Sequence, residues 1–162
     1  MDAMMLRKIF IACLALSALT FAGCGEGGQQ DAAQNEETQL VLTSVQDFLQ
    51  ALQAREKFRL QRVLHPDAML TSIDLRGDSM TMKLTPSAEW LDELAYKGPP
   101  LIESIENPIV QYSDAMASVW TAYEFRIGEE LSHCGHDAFQ LVKSEQGRWL
   151  ISGVTYTMQD CQ

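Results

Sequence analysis

His133 and Asp137 are the two side chains whose types and spacing could carry proton-transfer chemistry. They lie in the run Leu131-Ser-His-Cys-Gly-His-Asp-Ala-Phe-Gln-Leu-Val142. In an extended chain successive side chains point to opposite faces. His133, Gly135, Asp137, Phe139 and Leu141 therefore share one face, and Cys134, His136, Ala138, Gln140 and Val142 share the other. Four residues of strand separate imidazole from carboxylate by about 13 Å. That is too far for a direct hydrogen bond, but one ligand lying along the strand could touch both. An imidazole and a carboxylate among large apolar groups suit abstraction of a proton next to a carbonyl. Tyr123 on the preceding strand adds a phenol, and Trp90 on a helix adds a stacking wall. Asp137, His133 and Tyr123 are thus the candidate catalytic residues. The candidate ligand contacts are Trp90, Tyr123, His133, Asp137 and Phe139. The alternative is that His133 and Asp137 are rim residues keeping a sheet soluble, and a single bulge would exchange the two faces. Binding without catalysis is the expectation.

The run His133-Cys-Gly-His136 does not read as a metal site, because neighbouring side chains on a strand cannot reach one ion. There is no second Cys/His pair with finger-like spacing, so neither a metal nor a cofactor is expected. The four cysteines divide by position. Cys13 lies in the N-terminal apolar run and Cys24 closes it. Cys134 and Cys161 remain, either as a disulfide pinning the C-terminus or as two inert thiols.

Elements must position these groups. Val41, Val45, Phe48, Leu49 and Leu52 form the stripe of an amphipathic helix. A second short helix, Glu56 to Leu64, must stop near His65 because of Pro66. Residues 68–84 read as a hairpin turning at Gly77-Asp78, where Arg76-Gly77-Asp78 is taken as turn chemistry. Thr85-Pro86 opens a third helix with buried face Ala88, Leu91, Leu94 and Ala95, ended by Gly98-Pro99-Pro100. From Leu101 to Met158 the period is two, with turns at 112–115, 128–130 and 144–147. Helices followed by a meander predict an α+β fold, three N-terminal helices packed on a curved antiparallel sheet.

The N-terminus reads as an address. Met5-Leu-Arg-Lys8 is a short basic region before the apolar run Ile9–Ala22, which is too short to span a bilayer comfortably. Met1, Met4 and Met5 are alternative starts. Leu19-Thr-Phe-Ala-Gly-Cys24 resembles the lipobox of bacterial lipoproteins, with Phe21 where that family usually has Leu. The resemblance implies a signal peptide over 1–23, cleaved before a lipidated Cys24, and a palmitate-bearing anchor outside the cytoplasm. Gly25 after that cysteine resembles an outer-membrane sorting signal for a cell with two membranes. A plain secretory signal is the alternative. Residues 25–37 hold no large apolar side chain, so 24–37 reads as a disordered tether and 38–162 as the folded domain.

The order of elements, with Leu64-His-Pro-Asp-Ala68, Ala117-Ser-Val-Trp-Thr-Ala-Tyr123, Phe139-Gln-Leu-Val142 and Gly147-Arg-Trp-Leu-Ile151, resembles the nuclear transport factor 2-like superfamily. It resembles bacterial members of that superfamily, SnoaL-like and lumazine-binding ones included. The resemblance covers residues 38–160 and implies a cone with a pocket at one end, and a homodimer through the open face of the sheet. It is nearly silent on activity, since this fold serves isomerases, cyclases, dehydratases and binding proteins. The three roles it leaves open are a binding protein for a small apolar or aromatic ligand or a protein partner, an acid–base enzyme of the ketosteroid isomerase or SnoaL type, and a structural envelope protein. The formal net charge of −10 argues against nucleic acid as a partner, since phosphate binding needs a basic face.

Overall fold

The structure, a computed structural model, describes residues 26–162 apart from 95–96, with side chains from residue 34 onward. The expected signal segment and Cys24 lie outside the described residues. Among the described residues three helices and six strands follow one another: α1 (Glu26–Gln53), α2 (Lys57–Val63), β1 (Leu64–Asp74), β2 (Thr81–Pro86), α3 (Ser87–Glu93), β3 (Leu101–Tyr112), β4 (Met116–Ile127), β5 (Glu130–Lys143) and β6 (Trp149–Met158).

The stripe of α1 is the seed of the core: Val41, Val45, Phe48, Leu49 and Leu52 are all buried. The helix begins well before that stripe, so the segment expected to be a tether is helical from Glu26. Ala, Gln and Glu are good helix formers, and extending a helix already nucleated by a packed stripe carries no second nucleation cost. Glu37 shows that this extension joins the fold. Its Oε1 accepts hydrogen bonds from Lys143 Nζ at 2.6 Å and Trp149 Nε1 at 2.7 Å. Both partners sit where β5 turns into β6.

α1 ends at a left-handed Arg55 with φ 54°, and α2 runs straight into β1 at Leu64 because Pro66 excludes further helix. α3 is shorter than expected, stopping at Glu93 with Leu94 already extended. Its buried residues are Ser87 and Leu91. Ala88 faces solvent, and Trp90, expected at the edge of the stripe, packs against the core. Thr85 is a buried strand residue rather than a cap.

The sheet order is β2-β1-β6-β5-β4-β3. It is mixed, not wholly antiparallel: β1 pairs parallel with β6, while every other neighbouring pair is antiparallel. The alternation in each strand says which face is buried but not which edge it will join. The β1–β2 hairpin precedes α3, so the only free edge of β1 is filled by the last strand of the meander. Curvature comes from bulges. In β3 the register shifts between Glu106 and Ile109, where Asn107 takes φ 48° ahead of Pro108, and the freed carbonyl of Glu106 accepts the Thr121 hydroxyl at 2.9 Å. The sheet bends around α1, and the interior between them is filled at one end and hollow at the other.

Candidate functional site

At the hollow end lies a cavity of about 220 Å³. Its helical wall is apolar: Phe48 and Leu52 from α1, Trp90 from α3 and Leu94 just after it. Phe48 and Trp90 stack with ring centroids 6.0 Å apart. The sheet wall carries the polar groups: Glu103 from β3, Tyr123 from β4, His133 and Asp137 from β5, and Tyr156 from β6. A second hollow of about 290 Å³ adjoins it through Leu70, Trp90, Leu94 and Tyr156. It is the more open of the two, and an ion pair between Lys83 and Glu93, 2.9 Å, stands on its side. The smaller cavity is the one that contains the chemistry.

β5 alternates with the strand period, so His133, Gly135, Asp137, Phe139 and Leu141 all turn inward. Four of the five candidate ligand contacts, Trp90, Tyr123, His133 and Asp137, come together around the cavity. Phe139 does not. It is fully buried and packs edge-on against Phe48, below the floor of the cavity, because the cone narrows along β5. The outward residues are placed otherwise. His136 stacks on exposed Trp120 at 5.4 Å, and Cys134 is joined by a disulfide to Cys161, with Cα atoms 5.1 Å apart.

Asp137 is the most constrained polar group. Its side chain is 2% exposed, and its Oδ2 has no hydrogen-bond partner. Burial, then the neighbouring charge and hydrogen bond of Glu103, push its pKa far above the usual carboxylate range. Glu103 is also pushed up, by burial, against the opposing effect of its hydrogen bond with Asp137. Two carboxylates so close in an apolar site cannot both ionise, so the pair holds one shared proton near neutrality. His133 stacks on Phe125 at 4.9 Å, and its Nδ1 is 2.9 Å from Ser132 Oγ. Burial and then the charge of Arg76 lower its pKa, which keeps the ring neutral. Arg76 is held in place by Asp74, with hydrogen bonds of 2.9 and 2.7 Å.

Tyr123 is committed to the fold. Its hydroxyl donates to the carbonyl of Thr157 at 2.7 Å, and burial raises its pKa well out of the working range. The ring lies over Gly135, where an added Cβ would come within 2.9 Å of Tyr123 Cε1 and 1.9 Å of the Thr157 carbonyl oxygen. Gly135 therefore makes room for the tyrosine between His133 and Asp137. Burial raises the pKa of Tyr156 as well, against the opposing effect of nearby Ser72.

Glu103 and Tyr156 are functional candidates that sequence reasoning passed over. Leu101-Ile102-Glu103-Ser104-Ile105 is apolar on both parities, so the inward face of β3 is ambiguous from its own pattern. The pairing Glu103–Phe125 and Ile105–Tyr123 resolves it, but only once the strands are matched. Among the described residues, no group of three or more His, Cys, Asp or Glu side chains is arranged to hold a metal ion.

No family model matches the sequence, and no curated protein does. Solved structures match with full probability. A nuclear transport factor 2-like protein from Cytophaga hutchinsonii superposes with a TM-score of 0.62 at 13% identity, over 75% of this chain and 97% of its own. A scytalone dehydratase-like protein from Novosphingobium aromaticivorans gives 0.61 at 14% identity, over 79% and 87% of the two chains. A ketosteroid isomerase-like protein from Erwinia carotovora atroseptica gives 0.56 at 18%, over 76% and 97%. Identities this low carry the architecture and not the activity. The superpositions show that this chain, with its curved six-stranded sheet, has the nuclear transport factor 2-like fold.

Proposed function

We propose that this domain is a small-molecule binding module carried by an extracytoplasmic lipoprotein. The observation that carries the reading is the cavity. About 220 Å³ of space, walled by aromatic and aliphatic side chains with a few polar groups at one end, suits a ligand of one or two rings. A purely structural protein would gain stability by filling that space. The test is native mass spectrometry of the chain purified from its own type of cell, beside a Leu94→Trp variant designed to fill the cavity. A small molecule bound to the first and missing from the second is the expected result. A bare mass for both, with Trp90 fluorescence unmoved by a panel of small aromatics, would reject it.

The anchor rests on the lipobox-like sequence ending at Cys24, and the Cys134–Cys161 disulfide supports an oxidising compartment. Labelled palmitate should enter the wild-type chain and not Cys24→Ser. Label in both, or in neither, would remove the lipoprotein reading. The outer sheet face carries Ile109, Met116 and Trp120, more than half exposed. That surface supports a partner or a second copy docking there, and Trp120→Glu should then lower the mass seen by sedimentation.

One observation favours a second reading, an acid–base catalyst acting on a small carbonyl compound. A carboxyl pair that ionises near neutrality in the same cavity as a neutral imidazole is suited to taking a proton next to a carbonyl. Solvent deuterium exchange into such a compound, lost in Asp137→Asn while the melting temperature holds, would promote it above binding alone.

A further inference from the structure

We propose that the ligand of this cavity is a cation: a small aromatic or apolar amine, whose ammonium group lies between Asp137 and Glu103 while its hydrocarbon body rests on Trp90 and Phe48. The proposal deepens the binding reading above and rests on it.

The hydrogen-bond inventory of the cavity points this way. The Tyr123 proton is already given to Thr157, Ser72 stands near the Tyr156 hydroxyl, and His133 Nδ1 is engaged with Ser132. Among the described residues, the buried side-chain atom left without a partner is a carboxyl oxygen. Asp137 Oδ2 is buried without a partner and lines the cavity. Leaving such an oxygen unsatisfied is costly, and a ligand that donates to it removes the cost. A hydroxyl could donate one hydrogen bond, but the site holds two carboxyls that repel each other once ionised. An ammonium has three donors and a charge, so it can answer both and take the place of the shared proton.

The rest of the wall agrees. Five aromatic rings face the space, from Phe48, Trp90, Tyr123, Phe125 and Tyr156, and their faces attract a cation. Among the described residues, no lysine or arginine lines the cavity. A carboxylate-bearing ligand would meet two carboxyls and no cation.

Binding an amine in this way expels the proton that the pair shares, so affinity should rise with pH while the amine stays charged. The groups facing the pair are Glu103 itself on β3, Tyr123 on β4, His133 on β5 and Tyr156 on β6. Arg76 with Asp74 stands at the end of β1, and Lys83 with Glu93 beyond Tyr156. α1 and α3 bring only apolar and aromatic residues to the cavity. Of these groups, the carboxyl pair and His133 titrate between acid and mildly alkaline pH, and protonating His133 would oppose a cation in the same direction.

The experiment is isothermal titration of the purified chain with three probes of one shape: phenethylamine, phenethyl alcohol and hydrocinnamate. The amine should bind at least about tenfold tighter than the alcohol, the difference between a charged and a neutral hydrogen bond. That preference should grow between about pH 6 and about pH 8, and hydrocinnamate should not bind. Asp137→Asn should erase the preference while the alcohol still binds. Glu103→Gln, at the half-buried partner, should do the same and serves if the first variant does not fold. Alcohol binding as tightly as amine, indifferent to pH and to either variant, overturns the cation and leaves the pocket standing. Failure of all three probes, with Leu94→Trp giving identical heats, overturns both.

Discussion

Asp137 is a carboxyl that folding drives toward its protonated form, and this sets the sign of its effect on stability. Its pKa and that of Glu103 are higher in the fold than in the open chain. The folded state therefore binds more protons than the unfolded one, and stability falls as pH rises. Wild-type melting temperature should decline from roughly pH 5 to roughly pH 8, with a slope of up to about 1.4 kcal/mol per pH unit for each extra proton. Asp137→Asn should flatten that decline and be the more stable protein at the alkaline end. Thermal melts at a series of pH values decide the matter, and an unchanged slope in the variant would remove the buried dyad. Much of this site is legible in the sequence: alternation alone puts His133 and Asp137 on one inward face, beside Tyr123. Glu103 is not legible, because Ile102 and Ile105 lie on opposite parities around it and the choice is made by pairing with β4. Nor is the fate of the Tyr123 hydroxyl, which depends on a carbonyl 34 residues away.

At the scale of elements, the pairing of β5 with β6 is interrupted beside the cavity. Their ladder runs from Lys143–Trp149 to Asp137–Tyr156, and contact resumes at the Cys134–Gln159 bridge. In the gap, the Thr157 hydroxyl accepts the His136 N–H at 3.0 Å and the Thr157 carbonyl is left for Tyr123. Gly135 sits in this gap, with the Thr157 carbonyl where its Cβ would be. Gly135→Ala forces a Cβ into main-chain atoms that cannot swing aside, so it should lower stability by about 3 kcal/mol. Urea denaturation measures this, and a loss under half of that would mean the Tyr123 ring and β6 can move apart cheaply. The strands and their turns were legible because glycine and polar clusters punctuate a regular period. The parallel pairing of β1 with β6 was not, since no local pattern in either strand names its neighbour. The start of α1 was missed for a related reason: Glu37 looks solvated until Lys143 and Trp149 are brought to it from the far end of the sequence.

At the scale of the molecule, the Cys134–Cys161 bond closes a stretch of 27 residues around the turn that joins β5 to β6. A loop of that size is worth about 3.5 kcal/mol through the unfolded state. Reduction, or Cys161→Ser, should lower the unfolding free energy by that order. It should also speed amide exchange at the end of β6 before any other strand. Mass-resolved hydrogen exchange under reducing and oxidising buffer reads both, and identical protection in the two would mean that the tail is held without the bond.

The mixed sheet has one further consequence, for the order in which the chain can assemble. β6 is made after the other five strands, yet it lies between β1 and β5, with three strands on one side of it and two on the other. Until it arrives, the β1–β2 hairpin and the β3–β5 meander are separate sheets with raw edges, and the apolar face of α1 has only part of its cover. A ribosome or an export channel that releases the chain from its N-terminus first would thus deliver a molecule unable to complete itself until its final turn has emerged. Such a chain stays threadable for as long as it is in transit.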